Sequence, residues 1–96
     1  MAVFISLCKG TPEGYKDIKG LPKRWDDLKA NVKAAGGRVI GAYAVTGRYD
    51  YVLILDLPDV QKGLEVILKA LQKGTVTFET LSAVPIDEFV KIVKGL

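Results

Sequence analysis

Apolar residues recur along this chain in two rhythms, one of short unbroken runs and one at helical spacing. VFISLC, residues 3 to 8, is a short apolar run closed by Lys9-Gly10, and it predicts a strand. TPEG follows, with Thr11 as N-cap, Pro12 at the first helical position and Glu13 in the first turn. Gly20 and Pro22 interrupt that helical turn and restart it. Trp25, Leu28, Val32 and Ala35 then form one stripe, so the spacing predicts a helix over about 22–35 that Gly36-Gly37 stops. RVIGAYAV (38–45) and YVLILDL (51–57) read as two strands of a hairpin joined by 46–50. Pro58-Asp59 opens a helix whose Val60, Leu64, Ile67, Leu68 and Leu71 share one side, and Gly74 ends it. TVTFETLSAV is a Thr-rich, β-branched strand. Pro85 starts a last helix with Ile86, Phe89, Val90 and Val93 on its inner side.

The order β-α-β-β-α-β plus a tail helix predicts an α+β, ferredoxin-like fold in one domain spanning 1–96, with helices on one face of the sheet. A sheet covered on one face should alternate apolar and polar positions. Val3-Phe4-Ile5 and Tyr51-Val52-Leu53-Ile54-Leu55 are instead apolar on both faces. Two helices cover one side, so a second subunit's sheet is expected on the other, giving a dimeric α/β barrel or a larger assembly. Burying three or four more such side chains would contribute on the order of 5–10 kcal/mol before association costs.

Composition narrows the chemistry. The chain of 96 residues is 49% hydrophobic and 26% charged, which is globular and not disordered. There is no histidine and a single cysteine, Cys8, so no zinc, haem or Cys-His site has a ligand set; no metal or other cofactor is expected. No apolar stretch reaches the roughly 20 residues of a membrane span. Met-Ala-Val-Phe-Ile is too short for a signal peptide, and a cytoplasmic protein is expected. The net charge is +3, but the bases are interleaved with acids and no aromatic RNA-binding motif is present, which argues against nucleic acid as a partner. Scarce Asn and Gln beside abundant Lys fit a thermophilic source.

TGRYDYVLIL, residues 46 to 55, places a carboxylate, Asp50, at the entrance of an apolar strand. Asp50 can fix the turn after Gly47, serve a ligand or subunit contact, or act as a base. Tyr43, Tyr49 and Tyr51 cluster on the same hairpin, suited to packing or to lining a cavity. Glu79 should face away from the helices if Val76 and Phe78 face them. Arg24, in the first turn of the long helix, needs an acid such as Asp50 or one from a neighbouring subunit to offset the macrodipole. The ligand-binding or interface candidates are therefore Arg24, Tyr43, Arg48, Tyr49, Asp50 and Glu79, with no catalytic constellation.

The stretch GLPKRWDDLKANVKAAGGRVIGAYAVTGRYDYVLILDLPD resembles the GYD domain family, whose Gly-x-Tyr-Asp signature appears here as Gly47-Arg48-Tyr49-Asp50. Pro22 and Arg24, Gly36-Gly37, Tyr43, Pro58-Asp59 and the tail FETLSAVPIDEFVKIV follow the same resemblance. It implies a ferredoxin-like, dimeric α/β barrel and carries no established general activity. The Thr-Gly-x-Tyr-Asp hairpin is also similar to that of effector-binding domains in leucine-responsive-type bacterial regulators, which oligomerise and bind amino acids between subunits. Three functions remain open: a small-ligand-binding or regulatory homo-oligomer, a cofactor-free barrel enzyme acting on a small organic substrate, and a structural assembly module.

Overall fold

A computed structural model describes residues 2–96. Four strands, β1 (Ala2–Gly10), β2 (Arg38–Ala44), β3 (Tyr51–Leu57) and β4 (Val76–Ala83), form one sheet in the order β2-β3-β1-β4. Every neighbouring pair is antiparallel. The helices are α1 (Pro12–Lys16), α2 (Leu21–Ala34), α3 (Val60–Leu71) and α4 (Ile86–Lys94), with one 3-10 turn at Ile18–Gly20 before α2. This is the ferredoxin-like plan with an added C-terminal helix.

Local chemistry sets the boundaries. The Thr11 hydroxyl accepts from the Gly14 N–H at 3.1 Å and Pro12 occupies the first turn, so α1 starts where the sequence predicts. Asp59 caps α3 by accepting from the Lys62 N–H at 2.8 Å. Gly36, at φ +84°, supplies the left-handed residue that ends α2.

Register sorts the side chains. Phe4, Cys8, Leu53, Leu55 and Leu57 point to one face and form the core with Val32 and Ala35 at α2 and Val66 of α3. Ser6 is buried among them, and its hydroxyl bonds that of Thr80 across strands at 3.0 Å. Val3, Ile5, Leu7, Val52 and Ile54 alternate onto the opposite face, with Tyr43 from β2 and Leu81 from β4 beside them. Both long helices are committed to the first face.

The structure orients two helices, one of them against expectation. α3 buries Gly63 and Val66, while Val60, Leu64, Leu68 and Leu71 are exposed. Gly63 explains the rotation: a Cβ there would lie only 3.2 Å from the Phe4 ring, so the bare backbone marks the side that approaches the sheet. α4 buries none of its residues, and the stripe of Ile86, Phe89, Val90 and Val93 expected to face inward is exposed. The chain is open and elongated in consequence. A folded monomer of 10.4 kDa exposes about 5,400 Å², whereas this chain exposes 6495 Å². Its Cα radius of gyration is 14.5 Å, against about 12.5 Å for a compact domain of this length.

Leu55→Ala is expected to lower the unfolding free energy by about 2–5 kcal/mol, and Leu64→Ala to change it by no more than about 0.5 kcal/mol. Urea unfolding of the two variants checks this. Equal losses would contradict the observed orientation of α3.

Candidate functional site

The hairpin is tied to the end of β1 through Asp50. Its N–H donates to the Cys8 carbonyl at 2.8 Å, and its own carbonyl accepts from the Val45 N–H at 2.9 Å. Its carboxylate accepts from the Gly10 N–H at 2.8 Å. The Gly47 φ of +103°, a left-handed conformation, turns the chain so that this residue arrives there. The Tyr15 phenol of α1 meets the same carboxylate; that hydrogen bond first, and partial desolvation second, raise the Tyr15 pKa. The Asp50 carboxylate therefore fixes the backbone of β1, while the hairpin's own turn is closed by the Asp50 main chain.

Other signature side chains continue the connection. The Tyr49 hydroxyl donates to Glu79 Oε1 at 3.1 Å, and the Arg48 guanidinium lies 5.6 Å from the centroid of the Tyr49 ring. Glu79 pairs in register with Leu7, so it stands on the face opposite the helices. Arg48, Tyr49 and Glu79 thus join the hairpin to the β4 edge, next to Asp50. Tyr43 stands apart on β2, where its ring covers Gly41: a Cβ at Gly41 would meet it at 3.3 Å.

Arg24 is separate from this group. It donates to the Asp17 carbonyl at 2.9 Å, the Asp17 carboxylate at 3.2 Å and the Gly14 carbonyl at 3.4 Å. The expected pairing with Asp50 is corrected. The end of α1 lies seven to ten residues before Arg24 and offers acceptors that also offset the cation at the start of α2.

An apolar concavity lies on the helix side of the sheet, at its hairpin end. It encloses about 330 Å³ among Leu21, Trp25 and Leu28 of α2, Ala42 and Ala44 of β2, Tyr51 and Leu53 of β3, Cys8, and Phe78 of β4. That volume is at the lower end of the roughly 300–1,000 Å³ of small-molecule sites. Sealed and empty, it would cost about 8 kcal/mol; here it opens to solvent between α2 and the end of α3. Lys73, on its rim, reaches across to Asp27 of α2 at 2.6 Å. This contact, ahead of a second one from Lys23, holds the Asp27 pKa below its ordinary value. Arg24, also on the rim, is engaged with Asp17. Burial pushes the Cys8 thiol up to about 12, so the wall it contributes is uncharged. The cavity is an apolar, aromatic-walled slot whose nearby cations already have acid partners.

Sequence reasoning places Trp25 and Leu28 on one helical stripe without marking a cavity, because helical spacing is the same for a core stripe and a cavity wall. It also passed over Asp56, whose carboxylate pairs with Arg38 at 3.4 Å while its Oδ1 is buried without a partner. No signal in the apolar run YVLILDL distinguishes that oxygen. Among the described residues, no group of three or more His, Cys, Asp or Glu could hold a metal, and no helix is long and apolar enough to cross a membrane.

A four-stranded antiparallel sheet with a carboxylate-fixed β2–β3 hairpin defines an α+β chain of ferredoxin-like type. The GYD domain profile matches residues 4–93, and the chain belongs to that family. A curated relative from Thermus thermophilus, "Glutamine synthetase and cystathionine beta-lyase binding protein", is 28% identical over 95 residues, covering 98% of this chain and 100% of the relative. Among solved structures, TTHA0845, also from Thermus thermophilus, superposes with a TM-score of 0.55 at 24% identity, over 88% of this chain and 95% of that one. FFRP-DM1 gives 0.59 at 16% identity, over 88% and 100%. A hypothetical protein, PHS023 from Pyrococcus horikoshii, gives 0.55 at 16%, over 88% and 92%. These superpositions establish the shared fold.

Asp50→Ala leaves the Gly10 N–H without its charged acceptor and is expected to cost about 1.5–3 kcal/mol in urea unfolding, with Asp50→Asn costing less. The raised Tyr15 pKa carries a sign. Its contribution to stability is complete below the unfolded value near 10 and is lost as pH rises through the higher folded value. Tyr15→Phe should therefore flatten the alkaline limb of the stability profile, and an unchanged limb would contradict the Tyr15–Asp50 contact.

Proposed function

We propose that this protein is a small-ligand-binding or regulatory module that works as a homo-oligomer and performs no catalysis of its own. The observation that carries this reading is the open, apolar cavity lined by Trp25, Tyr51 and Phe78. A site of this kind takes up the apolar part of a small molecule, and the rim beside Lys73 and Asn31 supplies polar contacts for its other end. Amino acids, small carboxylates and aromatics are the classes that fit.

The alternative of a cofactor-free enzyme needs acid–base groups facing that slot. Tyr49, Asp50 and Glu79 are engaged around the hairpin, and Tyr43 touches the rim but lays its ring on the opposite face. The Thermus relative is named for binding two enzymes, which supports a regulatory role exercised through protein contact. Self-association has separate support in the apolar face of Val3, Ile5, Leu7, Val52 and Ile54, and in the surface exposed beyond that of a compact monomer.

Trp25 is the only tryptophan and lines the cavity, so its emission reports occupancy directly. Titration with amino acids, small carboxylates and aromatics is expected to give a saturable change with at least one class. Ala42→Leu, which fills the slot from β2, should abolish that change while leaving the thermal unfolding cooperative. Absence of saturable binding across all three classes would contradict the ligand reading.

A further inference from the structure

We infer that α4 is an assembly arm, and that its stripe of Ile86, Phe89, Val90 and Val93 packs antiparallel against α4 of a second copy of this chain. The inference rests on the homo-oligomer reading and adds a second self-contact to the sheet face.

The arm has no seat in its own subunit. α4 buries none of its residues, although its apolar positions fall at i, i+3, i+4 and i+7. Nine residues are too few for an isolated helix to hold its shape in water, so a stripe this regular calls for a packing partner. The connection from β4 is Val84 and Pro85 alone. Pro85 has ψ of 141°, and its ring keeps Val84 extended, so the helix leaves the sheet in a fixed direction. The chain as a whole exposes about 1,100 Å² more than a compact monomer of its mass, and the α4 stripe is part of that surface.

Charge selects another α4 as the occupant. Acids stand in its first turn, Asp87 and Glu88, and bases in its last, Lys91 and Lys94. Asp87 and Lys94 are seven residues apart, so they flank the stripe on the same side at opposite ends. An antiparallel mate related by a two-fold axis places each Asp87 near the other copy's Lys94, whereas a parallel mate sets like charges together. The same two-fold closes the contact, so it does not propagate into a filament. The exposed α3 stripe of Val60, Leu64, Leu68 and Leu71 is the competing seat. Lys62, Glu65 and Lys69 there already pair among themselves, at 3.2 Å and 3.6 Å, and offer α4 no such match.

Cysteine cross-linking tests the arm on the full chain, because the one native thiol, Cys8, is buried. Val90→Cys lies next to the proposed two-fold and Lys91→Cys lies on the far side of the helix. Under mild oxidation Val90→Cys should form disulfide-linked dimers about tenfold more readily than Lys91→Cys. In native mass spectrometry Val90→Asp should lower the subunit number, and Asp87→Lys combined with Lys94→Asp should restore what Asp87→Lys alone loses. Equal linking of the two cysteine variants overturns the proposal. So does preferential linking of Val90→Cys to Leu68→Cys, which would seat α4 on α3. A wild-type monomer removes the homo-oligomer reading and the arm together. An oligomer that Ile54→Glu dissociates and Val90→Asp leaves intact removes the arm alone.

Discussion

Both long helices pack on the same face of the sheet, and most of the remaining structure follows from that constraint. α2 and α3 seal Phe4, Leu53, Leu55 and Leu57 into a core, and Gly63 brings α3 close enough to touch the Phe4 ring. The opposite face receives every second side chain of the same strands, and most of these are apolar too: Val3, Ile5, Leu7, Val52 and Ile54, beside the charged Lys9, Asp56 and Glu79. Polar residues there would have suited a solitary chain. The choice of aliphatic side chains is what connects strand register to assembly, on the reading proposed above.

The same one-sided packing opens the cavity. At the end of the sheet near Asp50 the helices no longer meet closely over the strands, and Trp25, Tyr51 and Phe78 wall a slot instead of closing on one another. The Lys73–Asp27 pair spans the rim, which ties α2 to the end of α3 without filling the space. Asp50 holds the neighbouring strand ends in place through Gly10 and Cys8. The Gly-x-Tyr-Asp segment is in this respect a clasp: Gly47 supplies the turn, Asp50 anchors β1, and Tyr49 reaches β4 through Glu79.

Periodicity made the fold legible because each element carried its own punctuation: Thr11-Pro12, Gly36, the hairpin and Asp59 all mark boundaries where the structure has them. The outward side of Glu79 followed from simple alternation with Phe78. What could not be read was the angular position of a helix whose apolar residues exceed one stripe. In α3 the leucines outnumber the small residues, yet Gly63 and Val66 face the sheet, because close approach selects for size before hydrophobicity. In α4 the stripe is plain in the sequence, but periodicity does not say whether its partner lies in the same chain. The partners of Arg24 escape the sequence for a related reason: two of its three acceptors are nearby backbone carbonyls, which carry no sequence signal, and the third is the Asp17 carboxylate.

The most direct test of the covered second face compares two tyrosines within one molecule. In the lone chain Tyr43, on that face, is 61% exposed and Tyr15, on α1, is 48% exposed. Hydroxyl-radical labelling of the native protein, read by mass spectrometry, orders their accessibility in solution. If a second copy covers the sheet, Tyr43 is labelled more slowly than Tyr15, reversing the order set by the single chain. Labelling of Tyr43 at least as fast as Tyr15 would mean that the face is bare, and would contradict the account.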